Sequence, residues 1–206
     1  MSMFDHVLAV TNRHLCEIDF LEQIARIAMA QPVGIVLREK DLPEAAYHSL
    51  AQSVLSICQQ WNTPCILHHF SSAALALGCP NLHLPLPDLL MQPDIAKQFS
   101  QLGVSVHSAE EARTAYAHGA SYLTAGHIFP TDCKPDLPPR GLGFLREVCA
   151  AVPIPVYALG GICPQNVSDC LAAGAAGVAV MSGVMHSLSD CCLLYTSDAA
   201  DDRRLV

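Results

Sequence analysis

Charge is what this sequence has little of. Only 15% of its 206 residues are Asp, Glu, Lys or Arg, and eleven basic side chains face nineteen acidic ones, for a formal net charge of −8. A chain this short of basic residues lacks the positive surface that a phosphate backbone requires, so nucleic acid is excluded as a partner class. A small anion is not excluded, because it needs only a few local donors. Paired cysteines are missing too. The ten cysteines contain no CxxC spacing. Those at Cys58, Cys65, Cys149 and Cys170 sit among apolar residues, as small buried thiols do in a reducing compartment. No apolar run reaches the length of a membrane span, since Asp, Arg, Glu, His or Pro interrupts each one. The start, Met1 to His6, lacks the basic residues and apolar block of a secretory signal. A cytoplasmic protein without membrane contact is expected.

What the sequence does have is a hydrophobic content of 51%, enough for one domain with a full core. Short apolar runs at 4–10, 33–37, 64–67, 81–84, 103–107, 121–125, 155–159 and 177–181 read as strands. Helical spacing or helix boundary signals mark 17–30, 43–60, 71–77, 94–102, 108–118, 141–151 and 164–173. Pro85 to Pro87 reads as a loop. Ser108 followed by Glu111 reads as a capping box, and Gly78 and Gly119 read as helix stops. Eight strands alternating with helices, roughly 25 residues apart, predict a parallel α/β architecture. A closed (β/α)8 TIM barrel is favoured over a doubly wound open sheet, because polar residues collect at the C-terminal ends of the strands.

The eighth helix begins plausibly after Ser182 but loses its amphipathic face. Residues 189–206 form an atypical tail, either natural or a translated adapter sequence, and the second reading is adopted, with 1–188 as the single barrel domain. The last helix would then be truncated or replaced, leaving the first and last strands poorly covered.

Catalytic groups in such a barrel belong just past the strand ends. Gly126-His127 follows the sixth strand directly, with Thr131 and Lys134 close behind. An imidazole titrates near neutrality and can take a proton and return it, so His127 is the candidate catalytic residue. Glycine turns follow the seventh and eighth strands at Gly160-Gly161 and Ser182-Gly183, where phosphate is commonly held by backbone N–H groups. Arg38 and Lys40, after the second strand, can clamp a second anionic group such as a carboxylate. His107 faces either the core or the site. His68-His69 has no carboxylates at metal-ligand spacing and reads as hydrogen-bonding. Asp88 can bind magnesium but lacks a partner acid.

In combination these segments resemble the thiamine phosphate synthase/TenI superfamily over about residues 4–186. The matching runs are Leu37-Arg38-Glu39-Lys40, Gly103 to Ser108, Thr131-Asp132-Cys133-Lys134, Ala158-Leu159-Gly160-Gly161-Ile162 and Gly177 to Ser182. The resemblance implies a TIM barrel and a homodimer. The synthase branch joins a pyrimidine diphosphate to a thiazole phosphate with magnesium. It has an Asn-Asp pair after strand three and Gly-Gln-x-Asp after strand four. Here those positions read His68-His69 and Pro85-Leu86-Pro87-Asp88, and Val36 replaces a glutamine. The Gly126-His127 loop and Pro139-Arg140-Gly141 resemble instead the TenI-type thiazole tautomerase. That enzyme needs no cofactor, and its essential histidine matches His127. It aromatises a thiazole phosphate carboxylate by moving a proton from a ring carbon to an exocyclic carbon. The expectation is therefore such an isomerase without a metal. Gly160, Gly161, Ser182 and Gly183 would hold the phosphate, and Arg38, Lys40, His107, Thr131 and Lys134 the rest of the substrate. A synthase using magnesium at an altered site, and a non-catalytic binder of thiazole phosphate that acts as a regulator, are the alternatives.

Overall fold

In the computed structural model, which describes residue 4, residues 6–131 and residues 137–186, the first strand, Val7–Val10 (β1), is apolar and buried at every position. A strand covered on both faces requires this. Seven more strands follow: Gly34–Leu37 (β2), Cys65–His68 (β3), Asn81–Pro85 (β4), Gln101–Val106 (β5), Tyr122–Gly126 (β6), Val156–Leu159 (β7) and Gly177–Val180 (β8). Each pairs in parallel with the next. The ring closes where Val7 pairs with Val178 and Ala9 with Val180. The helices are Phe20–Met29 (α1), Glu44–Gln60 (α2), Ser71–Ala76 (α3), Leu86–Leu90 (α4), Ala109–Ala117 (α5), Gly141–Ala151 (α6), Val167–Ala172 (α7) and Ser182–His186 (α8). This is the expected (β/α)8 barrel.

Side-chain alternation along each strand makes two cores. Leu8, Val10, Val36, Ile66, Tyr122 and Ala179 fill the inside of the barrel, with Tyr157, Leu159 and Met181 packed against them. Their strand neighbours, among them Val7, Ala9, Ile35, Leu37 and Leu67, join the outer core under the helices.

The differences from the sequence reading have local causes. α1 starts late because Asp19 caps it, its carboxylate accepting from Leu21 N at 3.0 Å and Glu22 N at 3.1 Å. The 85–87 loop is instead the start of α4, where Pro87 sits in the first turn. A missing N–H costs nothing there. The helix expected over 94–102 shrinks to a 3-10 turn, Ile95–Gln98. Ser100 and Gln101 instead donate to Pro80 O at 2.8 and 3.2 Å, and the chain joins β5 early, with Gln101 opposite Asn81. The capping box is offset: Ser108 Oγ accepts from Glu111 N, but Glu111 Oε2 accepts from His107 N rather than from Ser108. The uncovered strands expected at the seam are not found, because every residue of β1 and β8 is buried. α8 packs on the 3-10 turn Arg13–Leu15, and Gln23 Nε2 donates to Val184 O at 2.6 Å. The atypical tail lies outside the described residues.

Candidate active site

The C-terminal ends of all eight strands surround one cavity of about 330 Å³. β2 runs into Arg38-Glu39-Lys40, and this tripeptide splits by alternation. Arg38 and Lys40 are on the cavity wall. Glu39 is 2% exposed and accepts from Thr11 Oγ1 at 2.6 Å, from Arg13 N at 3.1 Å and from Arg13 Nη1 at 3.0 Å. Thr11 Oγ1 also accepts from Arg38 N at 2.9 Å. Arg13 continues to Asp41, and hydrogen bonds from Arg13 and then His14 hold the Asp41 carboxyl well below its usual range. The β1–α1 connection thus fixes the backbone that carries both wall cations.

β3 ends at His68, on the same wall. Its N–H donates to the Tyr47 hydroxyl at 2.9 Å, and that hydroxyl donates to Leu37 O at 2.7 Å. One buried phenol, pushed upward in pKa by its burial, therefore ties the ends of β2 and β3. The His68 ring stacks on His83, with centroids 5.7 Å apart and planes at 16°. His83 Nδ1 meets the Tyr122 hydroxyl at 3.0 Å and Nε2 meets Ser105 Oγ at 2.9 Å. Ser105 Oγ passes the chain to Thr124 Oγ1 at 3.1 Å. Burial, then the nearby Lys40 and Arg38, pushes His83 down to about 3. Burial, then His83, Lys40 and Arg38, pushes His68 down to about 2. Both rings are neutral near pH 7. Gly103 makes the His83–Tyr122 bond possible, since a Cβ there would overlap both partners.

His69 is outside the cavity wall. Its Nδ1 meets Asp88 Oδ2 at 2.7 Å, which gives Asp88 the partner that the sequence did not reveal. Among the described residues no group of three or more His, Cys, Asp or Glu is arranged to hold a metal ion.

His127 follows β6 after a cis peptide bond to Gly126 and is 5% exposed, on the cavity wall. The chain beyond it keeps following β7: Ile128 N donates to Leu159 O at 2.9 Å and Phe129 N to Gly160 O at 3.0 Å. Arg140 N returns to His127 O at 3.0 Å. His127 Nε2 lies 3.2 Å from Leu137 O. A carbonyl oxygen can only accept, so Nε2 carries the hydrogen, and in the neutral ring Nδ1 holds the lone pair. By the same logic His107 Nδ1 donates to Gly126 O at 2.9 Å. Arg140 Nη1 in turn donates to His107 O at 2.9 Å and lies over the Phe144 ring at 5.4 Å. His107, left open by the sequence, faces the cavity and braces the peptide in front of His127.

Gly160 and Gly161 are on the wall with φ of +97° and +66°. Both also permit the His127 segment to pack: a Cβ on Gly161 would sit 2.8 Å from Phe129 Cβ. Asn166 holds this turn, donating to Gly161 O at 2.9 Å and accepting from Cys163 N at 3.0 Å. Ser182 completes the wall, while Gly183 lies one residue further inside α8 and is not part of it.

Arg38, Lys40, His107, His127, Thr131, Gly160, Gly161 and Ser182 therefore share one cavity, whereas Lys134, with Asp132 and Cys133, lies outside the described residues. The sequence reading missed His83, Ser105 and Thr124, which floor the cavity. Their signal was a polar residue in the interior of each of three largely apolar strands.

The family model described as thiamine monophosphate synthase matches residues 7–184. The thiamine-phosphate synthase of Methanospirillum hungatei is 36% identical over 187 residues, covering 89% of this chain and 87% of its own. That of Roseiflexus castenholzii is 38% identical over 155 residues, covering 74% and 68%. Among solved structures, the thiamine phosphate pyrophosphorylase from Pyrococcus furiosus superimposes with a TM-score of 0.80 at 27% identity, covering 98% of this chain and 97% of that one. With the barrel, the cavity and these relatives in agreement, the chain belongs to the thiamine monophosphate synthase family.

Proposed function

We propose that this member of the family is a thiazole tautomerase, an isomerase that aromatises a thiazole phosphate carboxylate by proton transfer through His127. The observation that carries the reading is His127 itself, a buried imidazole on the cavity wall whose Nε2–H is committed to Leu137 O. Its Nδ1 is the base. It takes the proton from the ring carbon, the double bond shifts, and the resulting imidazolium returns the proton to the exocyclic carbon. The reaction is balanced without a co-reactant. The Gly160-Gly161 turn and Ser182 hold the phosphate through backbone N–H groups, and Arg38 and Lys40 attract the carboxylate. Thr131 meets the ring from the cavity wall, and His107 holds the backbone of His127 in place.

Magnesium, which the synthase branch uses, is poorly matched by the residues present. It takes hard oxygen ligands, usually carboxylates. The described cavity wall carries none, and Asp88 is bonded to His69. A reaction without metal or cofactor is the reading that this donor set supports.

The second reading is a thiamine phosphate synthase, favoured by the names of the relatives. One experiment separates the two. Wild type and His127→Asn are incubated with the non-aromatic thiazole phosphate carboxylate in the presence of a chelator, and the aromatic product is followed by absorbance. The tautomerase reading expects turnover that falls about 10²–10⁴-fold in the variant. Equal rates for both proteins sink it. Magnesium-dependent formation of thiamine phosphate from the pyrimidine diphosphate selects the synthase, and binding of the thiazole phosphate without turnover selects the non-catalytic binder.

A further inference from the structure

His68 has a feature that neither the fold nor the proton transfer explains. It is 5% exposed and its ring is on the cavity wall, yet among the described residues neither ring nitrogen has a hydrogen-bond partner. Its backbone is held by Tyr47 and its ring face by His83. His83, one stacking distance away, has both nitrogens bonded to protein. A buried polar group left unmatched is costly, and native proteins seldom keep one without a use. Arg38 and Lys40 share this wall. The wall therefore carries two cations and, beside them, a His68 ring whose nitrogens are open to whatever fills the cavity.

We infer that His68 is a specificity-determining residue that donates an N–H to the substrate carboxylate held between Arg38 and Lys40. Burial and the two cations keep the ring neutral, pushed down to about 2, so it adds a donor without adding a third positive charge to the wall. A neutral donor of this kind tightens its bond as negative charge grows on the acceptor. Charge grows on the carboxylate once the ring carbon has lost its proton. The position also suits the substrate's shape. β3 lies across the ring from β7, with three strands between them on either side, whereas β1 alone separates β2 from β8, so a ligand whose phosphate sits at Gly161 carries its second anion towards His68. The identity of that anion as a carboxylate rests on the tautomerase reading.

The test is binding rather than turnover. Isothermal titration compares the aromatic thiazole phosphate carboxylate with the same thiazole phosphate lacking the carboxylate. His68→Phe keeps the ring stack on His83 and removes both nitrogens. It is expected to weaken the carboxylate-bearing ligand about tenfold or more and leave the other ligand unchanged. His68→Asn, which restores an N–H, is expected to recover most of the loss. Thermal melts check that the variants fold, and His68→Leu replaces His68→Phe if the latter does not, with the same expectation. A parallel loss for both ligands, or no loss for either, overturns the assignment. The outcome is separable from the proposed function: discrimination lost at His68 without any turnover by wild type keeps the carboxylate contact and removes the tautomerase, whereas turnover with unchanged discrimination does the reverse.

Discussion

Gly160 lies so close to His127 that a Cβ on it would overlap the His127 Cβ and come within 2.9 Å of its Cα. Its φ of +97° is also one that a side chain resists. The glycine turn is thus the wall against which the imidazole rests. Gly160→Ala is expected to shift His127 and lower turnover about 10²-fold, the usual cost of misplacing a reacting group by an ångström. It should also destabilise the fold by about 1–3 kcal/mol. Gly143→Ala is the control. It lies in α6, with nothing within 4 Å of its Cβ position, and should raise stability by about 1 kcal/mol without touching activity. Thermal melts and steady-state rates of both variants check the pair.

Tyr47→Phe removes one oxygen and strands two backbone groups, Leu37 O and His68 N. The site is buried, with Tyr47 at 0% exposure, so water cannot easily replace the hydroxyl. A loss of about 1–3 kcal/mol is expected in urea unfolding. A variant as stable as wild type would show that the bridge between β2 and β3 is energetically idle.

Stability should fall in mild acid. His68 and His83 are neutral in the fold, with pKa values pushed down to about 2 and about 3 from an ordinary 6.5. The unfolded chain therefore binds protons that the folded chain refuses. This contribution is complete above pH 6.5 and is lost as pH falls from there towards 3, at up to about 1.4 kcal/mol per pH unit for each ring. His83→Gln should flatten the slope by one ring's share in urea titrations between pH 7 and 4.5. A slope as steep as that of wild type would mean that His83 is not held neutral.

Asn166→Ala releases both Gly161 O and Cys163 N. The turn proposed to hold phosphate should loosen while His127 stays bonded to Leu137 O and Arg140 N. The KM for the phosphorylated substrate is expected to rise about tenfold with kcat within about twofold of wild type. A fall in kcat alone would instead tie Asn166 to the chemistry.

Much of this was legible in the sequence, for reasons that differ by residue. The barrel was readable because short strands covered on both faces are mostly apolar, and their count and spacing survived errors at the ends. Gly160-Gly161 was readable because a positive-φ turn at a strand end needs glycine, and Gly126 because β7 runs close beside it, with Leu159 O 2.8 Å from where a Cβ would sit. Alternation after β2 carried Arg38 and Lys40 to the wall, but Glu39 between them gave no sign of its buried bond to Thr11, 28 residues away. The same blindness applied to Ser105 and Thr124 under His83, and to His69 with Asp88. Each pairing is made by the register of neighbouring strands or loops, which local periodicity does not encode. α4 was missed because two prolines looked like a loop, though a helix tolerates proline in its first turn.

The closure of the ring has a consequence for folding order. β1 and β8 come from opposite ends of the described chain, with Val7 opposite Val178, and the cavity takes wall residues from both, Val10 and Val180 among them. The cavity cannot be complete until the most distant contact in the barrel has formed, which is the slowest kind of contact to make. Any molecule that fills it therefore acts as a clasp on the whole ring rather than on one loop. Ligand binding during refolding should appear only with the final kinetic phase, and saturation should slow amide exchange at the β1–β8 seam as much as at the residues that touch the ligand.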